Sequence, residues 1–373
     1  MTAPEDLVPA PLPPVATALQ INLHPIDAAH AVHVLPHQLR CWSRQFARVL
    51  LSVDTFQTSS GRYKQPGFME ARDRLTRLLA DVEAEFPGVV VDPVDFGEAG
   101  QDLVRRVFFP RLTSRYPLRP YDGGPFHVYF YGIARANARH VMHLDSDMLF
   151  GGGDQRWVEE ATAMLAEVPE ALLVAPLGGP PLDVDDASPR FEAGFGALSA
   201  EGAAQARAHY RLQAEPETWS YPTMSTRAFM IDMDRFADLV GSLDMVRPTR
   251  TRRLRARLVD QDPVAMPGEI LISANMISRG LRRLDFLGTD PGVFSLHPPY
   301  RSAQFYDDLP ALIRRIEVGD IPRGQRGFYD INSSMHPWSE DVLHPRPVVR
   351  YRKAARQVIE ANVARVRRGL RRG

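Results

Sequence analysis

The stretch His140-Val141-Met142-His143-Leu144-Asp145-Ser146-Asp147-Met148-Leu149-Phe150 decides how the rest of the chain is read. An apolar run with the character of a buried strand ends in two carboxylates separated by one small residue. In extended backbone, residues i and i+2 project to the same side, so Asp145 and Asp147 are expected to converge on one point. Hard divalent cations take oxygen ligands and are commonly shared with substrate phosphates. The carboxyl end of a strand is also where open α/β sheets bind ligands. The spacing therefore proposes a metal–diphosphate site. The plainer reading is a turn, which Asp and Ser both favour. The apolar residues on both sides, and Gly151-Gly152-Gly153 beyond them, weigh towards a site.

Outward from this strand, helices and strands alternate. Residues 19–24 and 47–54 read as strands, the second ending in Asp54. A helix is expected over 28–46, interrupted or kinked at Pro36, and another over 67–85 with Leu75, Leu78, Leu79 and Val82 on one face. A short strand at 88–92 precedes a polar, proline-containing region, and a helix over 125–138 leads into the Asp-Ser-Asp strand. Beyond it come a helix over 154–168 with Asp154 as N-cap, a strand at 171–176 and a long loop-rich insert over 183–221. A strand at 225–232, a helix over 233–243 and a helix over 270–279 closed by Gly280 follow. The last strand is expected at 284–287. Such alternation predicts a largely parallel sheet covered by helices on both faces.

Composition narrows the class. Forty-four per cent of the 373 residues are hydrophobic, enough for a globular core. No run approaches the ~18–20 apolar residues of a spanning helix. The N-terminus lacks the basic start and apolar stretch of a secretory signal. Cys41 is the only cysteine, which excludes an internal disulfide and a multi-cysteine metal site. A cytoplasmic enzyme is the expectation. The formal charge of zero is unevenly spread: residues 346–373 carry ten basic side chains and one acid, Glu360. Lys64 and Lys353 are the only lysines, an arginine bias that points to a GC-rich bacterial genome rather than to nucleic-acid binding.

The ordered set of features resembles the GT-A glycosyltransferases, particularly the broad glycosyltransferase family 2 type, over roughly residues 18–300. Asp54 closes the second strand where such enzymes hold the donor nucleoside. Tyr131-Gly132-Ile133-Ala134-Arg135-Ala136-Asn137-Ala138 is similar to the family's helix ahead of the metal strand, which carries Arg135 and Asn137 into the donor-binding set. Asp145-Ser146-Asp147 matches the Asp-x-Asp metal motif. Glu269, opening a late helix, matches the base of inverting members, and His297 stands where many supply a further metal ligand. The sequence departs from the pattern after Asp54, where Thr55-Phe56-Gln57 replaces Asp-Gly-Ser, and at Gly268-Glu269, which replaces Glu-Asp. Leu144-Asp145-Ser146-Asp147 is equally similar to retaining GT-A enzymes.

The resemblance implies a GT-A fold and a metal-dependent sugar transfer, inverting in outcome, from a nucleotide-diphosphate donor to an unidentified hydroxyl acceptor. Mn²⁺ or Mg²⁺ held by Asp147, with Asp145 alongside or on the ribose, would neutralise the departing diphosphate. His297 would complete the metal shell. Glu269 would take the acceptor proton, with Asp260 and Asp262 as rivals, although a carboxylate in a first helical turn is also what capping and the helix dipole favour. His140 and His143 are expected in the core. The expected organisation is a leader over 1–17, a catalytic domain over 18–300 and an extension over 301–373. Ala355, Ile359, Val363, Val366 and Leu370 give that extension a basic amphipathic helix, suited to an anionic membrane face or to packing on the acidic body. A nucleotidyltransferase is the second enzyme class; His24-Pro25-Ile26-Asp27 lacks the glycine-rich basic loop it would need. A non-catalytic relative that binds sugar or nucleotide is the third reading.

Overall fold

The computed structural model of the chain describes residues 12–56, 67–153, 155–182, 211–213, 217–259, 261–343 and 358–359. The leader up to residue 11, Asp154, Asp260, most of the 183–221 insert and the C-terminal amphipathic segment, two residues apart, lie outside them.

β1 (Val15–Leu23), β2 (Arg48–Val53), β3 (Val89–Pro93) and β4 (Ala138–Asp145) form one parallel block in the order β3-β2-β1-β4. Their registers run Asn22↔Asp145, Asn22↔Ser52 and Ser52↔Asp92, so their carboxyl ends finish level. β9 (Ala228–Asp232) lies antiparallel between β4 and β6 (Ala171–Gly178), which restores the common direction. β10 (Arg282–Phe286) continues parallel to β6, and β8 (Thr218–Tyr221) and β7 (Arg211–Gln213) close the edge antiparallel. The mostly parallel sheet expected from the alternation is present, with β9 and β8 reversed and β7 running again in the common direction. Off the main path, β5 (Leu149–Gly152) pairs antiparallel with β11 (Val293–Leu296), which also touches β6.

Helices cover both faces. α1 (Ala28–Trp42), α2 (Phe68–Glu85) and α5 (Trp157–Glu167) share one core with the inward residues of β1, β2 and β4, including Leu19, Ile21, Met142 and Leu144. α3 (Glu98–Phe108), α4 (His127–Arg135), α6 (Met233–Leu239) and α8 (Gly268–Ser278) close the other, around Phe108, Phe109, Phe126 and Phe130. A third cluster joins α9 (Ala303–Glu317) to β5, β8 and β11 through Phe305, Leu309, Leu312 and Ile316. Between α6 and α8 lies the short α7 (Arg250–Leu258).

Several expectations are corrected here. α1 runs unbroken through Pro36. β1 starts at Val15, inside the expected leader. Residue 300 marks no boundary, because α9 packs on α1 and β5 as an integral layer. α3 forms a helix in the region read as polar, and α7 adds one between 243 and 270, where the sequence reading placed no element. Trp219 and Tyr221, placed in a loop by sequence, are buried in β8. No described helix is long and apolar enough to cross a membrane.

Candidate functional site

The chain steps from β1 to β2 on one side and later returns to β4 on the other, so the strand order reverses between β1 and β4. Ligands of open α/β sheets sit at such a reversal, outside the carboxyl ends. A cavity of about 830 Å³ opens there, within the range of small-molecule sites. Its wall includes Asp27, Asp54, Arg119, Tyr129, Asp145, Asp147, Arg227, His297 and Arg301.

The Asp-Ser-Asp turn is fastened from below by α1. Gln38 Nε2 donates to the carbonyls of Asp145 and Met148, both at 2.9 Å. His30 Nε2 lies 3.1 Å from Ser146 Oγ, and His37 Nε2 accepts the Phe150 N–H at 3.0 Å. Just ahead of β9, the Arg227 carbonyl accepts the Asp145 N–H at 2.7 Å. Gly151 lets β11 close over this segment, since a Cβ there would stand 2.2 Å from the Phe294 ring.

β4 ends at Asp145, and Ser146 and Asp147 form a turn closed by Met148 N–H to Asp145 carbonyl at 3.3 Å. The same-side rule for extended backbone therefore stops applying one residue early, and the two carboxylates take different partners. Asp145 Oδ1 accepts the Tyr129 hydroxyl at 2.8 Å and faces His143 Nε2 at 3.5 Å. Asp147 is buried, its Oδ1 without a hydrogen-bond partner, and its Oδ2 is contacted by Arg301 Nη2. His297, which follows β11, points Nε2 at Asp147 Oδ2 from 3.9 Å. Its other nitrogen, Nδ1, sits 2.7 Å from Asp330 Oδ1, and its ring stacks on Tyr329. Of the three residues expected from sequence to hold a metal, Asp147 and His297 stand 3.9 Å apart, while Asp145 is turned to Tyr129 and His143. Among the described residues no group of three His, Cys, Asp or Glu side chains is arranged to hold a metal ion.

The pair nevertheless fits a cation. Two donors bound to one ion at about 2.1 Å each lie at most about 4.2 Å apart, and Asp147 Oδ2 and His297 Nε2 satisfy that. Asp147 Oδ1 is a buried carboxylate oxygen lacking the partner its burial demands. A carboxylate on the far nitrogen of a histidine is the usual support for a metal-ligating imidazole, and Asp330 supplies it.

Charge in the cavity is finely set. Burial works to raise the Asp147 carboxyl, but Arg301, His297, His30 and Arg227 together hold it below the usual carboxylate range. Asp27 responds oppositely. Burial pushes it up to about 7 and Asp147 adds to that, against the pull of Arg301. His30 is lowered to about 4 by burial and by Arg301, which leaves it neutral. Burial would lower Arg227, yet Tyr329 and the carboxylates of Asp147, Asp145 and Asp330 hold it above its ordinary value.

At the other end of the cavity, both Asp54 oxygens accept from Arg119 Nη2, at 3.1 and 2.8 Å. Arg119 packs against Phe56 and Phe96, 4.9 and 5.6 Å from their ring centres. Asp54 reaches the cavity as expected, already paired. Arg135 and Asn137 do not reach it. Arg135 is buried against Asp92 at 3.1 Å. Asn137 turns the chain into β4 with φ 42° and donates to the Leu12 carbonyl at 2.7 Å. It stands eight residues before Asp145, about 26 Å along an extended strand. The local similarity that singled out both residues tracks a structural turn. Glu269 is exposed at the first turn of α8 and accepts from the Thr226 N–H and hydroxyl, both at 3.3 Å. It stands beside the residue preceding Arg227, outside the cavity wall. Its rival Asp262 accepts the N–H of Val264 in a local turn. His143 is core, with Nδ1 at 2.6 Å from Gln20 Oε1, and His140 pairs with Asp232 at 3.2 Å.

Sequence reasoning passed over Asp27, Arg119, Tyr129, Arg301, Tyr329 and Asp330. Arg301, four residues after His297 and just before the Ser302 cap of α9, was within reach of it; Ser302 Oγ accepts the Phe305 N–H at 3.1 Å. Asp330 had no local signal, because only the fold brings it to His297.

No protein-family model and no curated protein matches this chain. Solved structures similar to it include GalNAc-T7 with UDP, GalNAc and Mn²⁺, 15% identical over 81% of this chain and 47% of that one, TM-score 0.42. This chain thus spans about half the length of that protein. Another is the mannosyltransferase PcManGT of Pyrobaculum calidifontis with GDP-Man and Mn²⁺, 12% identical over 71% and 59%, TM-score 0.31. Glucosyl-3-phosphoglycerate synthase of Mycobacterium tuberculosis with Mn²⁺, UDP and phosphoglyceric acid is 9% identical over 81% and 76%, TM-score 0.31.

Proposed function

We propose that this protein is a metal-dependent glycosyltransferase of the GT-A kind, which moves a sugar from a nucleotide-diphosphate donor to a hydroxyl acceptor. The observation that carries the reading is the Asp147–His297 pair, backed by Asp330, in direct contact with Arg301 and sharing with Arg227 the lining of a cavity at the sheet's reversal point. A divalent cation held by Asp147 and His297 would supply positive charge against the departing diphosphate.

The chain's own residues do the remaining work. Arg227 and Arg301 present fixed positive charge to the diphosphate oxygens. The Arg119–Asp54 pair with Phe56 offers a flat, polar-edged wall for the nucleoside. Tyr129 donates to Asp145 and holds it in the cavity wall. In transfer, the bond from the anomeric carbon to the diphosphate breaks and a bond to the acceptor oxygen forms. The acceptor proton passes to a carboxylate, for which Glu269, held beside Thr226, is the proposed base in an inverting reaction.

The test is a thermal-shift panel of UDP-, GDP- and dTDP-sugars, each with and without Mn²⁺, on wild type and Asp147→Ala. Stabilisation by one nucleotide that requires both Mn²⁺ and Asp147 is expected. A folded wild-type protein that responds to none of them would overturn the reading.

A further inference from the structure

The arginine-rich stretch Arg247 to Arg257 plays no part in the catalytic reading. It folds as α7, capped by Thr249, whose side chain accepts the Arg252 N–H at 3.4 Å. Ala256 is its only buried residue. A helix turns about 100° per residue, so Leu254 and Leu258 lie on the stripe opposite Ala256. Both face solvent, 60% and 48% exposed. Arg250 and Arg257 flank that stripe on one side and Arg255 on the other. Arg252 instead turns back onto the body, 5.5 Å above the Tyr121 ring. The helix contains no acid, and among the described residues no carboxylate pairs with Arg250, Arg253 or Arg255. Val264, just beyond, adds a further exposed apolar side chain.

We infer that α7 docks on a bilayer surface carrying anionic headgroups. Its leucines would enter the interface and the flanking arginines would rest among the lipid phosphates. Solvated arginines alone would suit any polyanion. An outward leucine stripe bordered by guanidinium groups is the arrangement that lies in the plane of a membrane interface, and arginine stems bury readily alongside such a stripe. The charge is complementary to an anionic leaflet. The connection of α7 to the body runs through Tyr121, over which Arg252 lies and whose N–H the Ala265 carbonyl accepts at 2.9 Å. This inference stands apart from the catalytic reading and from the C-terminal segment.

The test is co-sedimentation of the full chain with vesicles of phosphatidylcholine alone and with about 30 mol % phosphatidylglycerol. The expected result is binding to the anionic vesicles only, weakened at high salt. Leu254→Ser/Leu258→Ser should weaken it at least about tenfold, and Arg250→Gln/Arg253→Gln/Arg255→Gln comparably, with thermal melting unchanged in both. Failure to bind anionic vesicles overturns the inference. So does binding that survives both variants, which would assign it to the basic C-terminal residues. Loss in the arginine variant alone, matched by equal competition from soluble heparin, would show a polyanion site and likewise overturn it.

Discussion

Asp27 offers the sharpest test of the cavity's electrostatics. Its carboxyl lies beside Asp147 and 3.9 Å from both His30 Nε2 and Arg301 Nη1, and burial raises it from 3.8 to about 7. Between those values the folded protein holds a proton that the unfolded chain has released. Stability contributed at this position is therefore fully present below pH 3.8 and lost as pH rises towards 7. Each tenfold change in proton affinity is worth about 1.4 kcal/mol, so the full loss is about 4 kcal/mol. Relaxation of the surroundings reduces this, and about 2–4 kcal/mol is expected. Asp27→Asn mimics the protonated form and keeps an oxygen for the His24 N–H, which Asp27 Oδ2 accepts at 3.0 Å. The variant should match wild type near pH 4 and exceed it by that amount at pH 8, or by roughly 3–5 °C in melting temperature. Urea unfolding in EDTA at several pH values between these limits measures it. Carboxylates common to both proteins cancel in the difference. A difference that is flat across pH, or an Asn variant less stable at pH 8, would refute the reasoning.

Three further outcomes are expected. Asp330→Asn removes the anionic support of His297 Nδ1, and Mn²⁺ affinity followed by electron paramagnetic resonance should fall about 10- to 100-fold with little change in melting temperature. Trp157 is fully buried, stacks 4.8 Å from Phe286 and meets Trp42 edge-on; Trp157→Ala should cost about 3–5 kcal/mol in denaturant unfolding. Gly151→Ala drives a methyl against the Phe294 ring, and should cost about 1–3 kcal/mol while loosening the His297 loop.

The strands and most helices were legible because their apolar spacing is local. Leu75, Leu78, Leu79 and Val82 mark α2 without reference to any other element, and α2 buries all four. α9 was legible in principle, since Phe305, Leu309, Leu312 and Ile316 repeat at helical spacing behind a serine cap. The antiparallel insertion of β9 was not, because a buried strand reads alike in either direction. The similarity around Arg135 and Asn137 misled for a related reason: it named residue types in order, whereas reaching the cavity depends on which end of β4 they occupy.

By itself the sequence determined that a buried strand ends in acids at the edge of an α/β sheet, since hydrophobic periodicity and the abrupt onset of charge are properties of neighbouring residues. Only the tertiary structure decided which groups face that edge. It turned the backbone at Ser146 and gave Asp145 and Asp147 different partners. It also brought His297 to Asp147 from 150 positions away, with Arg301 and Asp330 arriving from a segment that has no motif. Such convergence depends on strand register, turn geometry and the packing of α9 on α1, which are set by contacts distant in sequence.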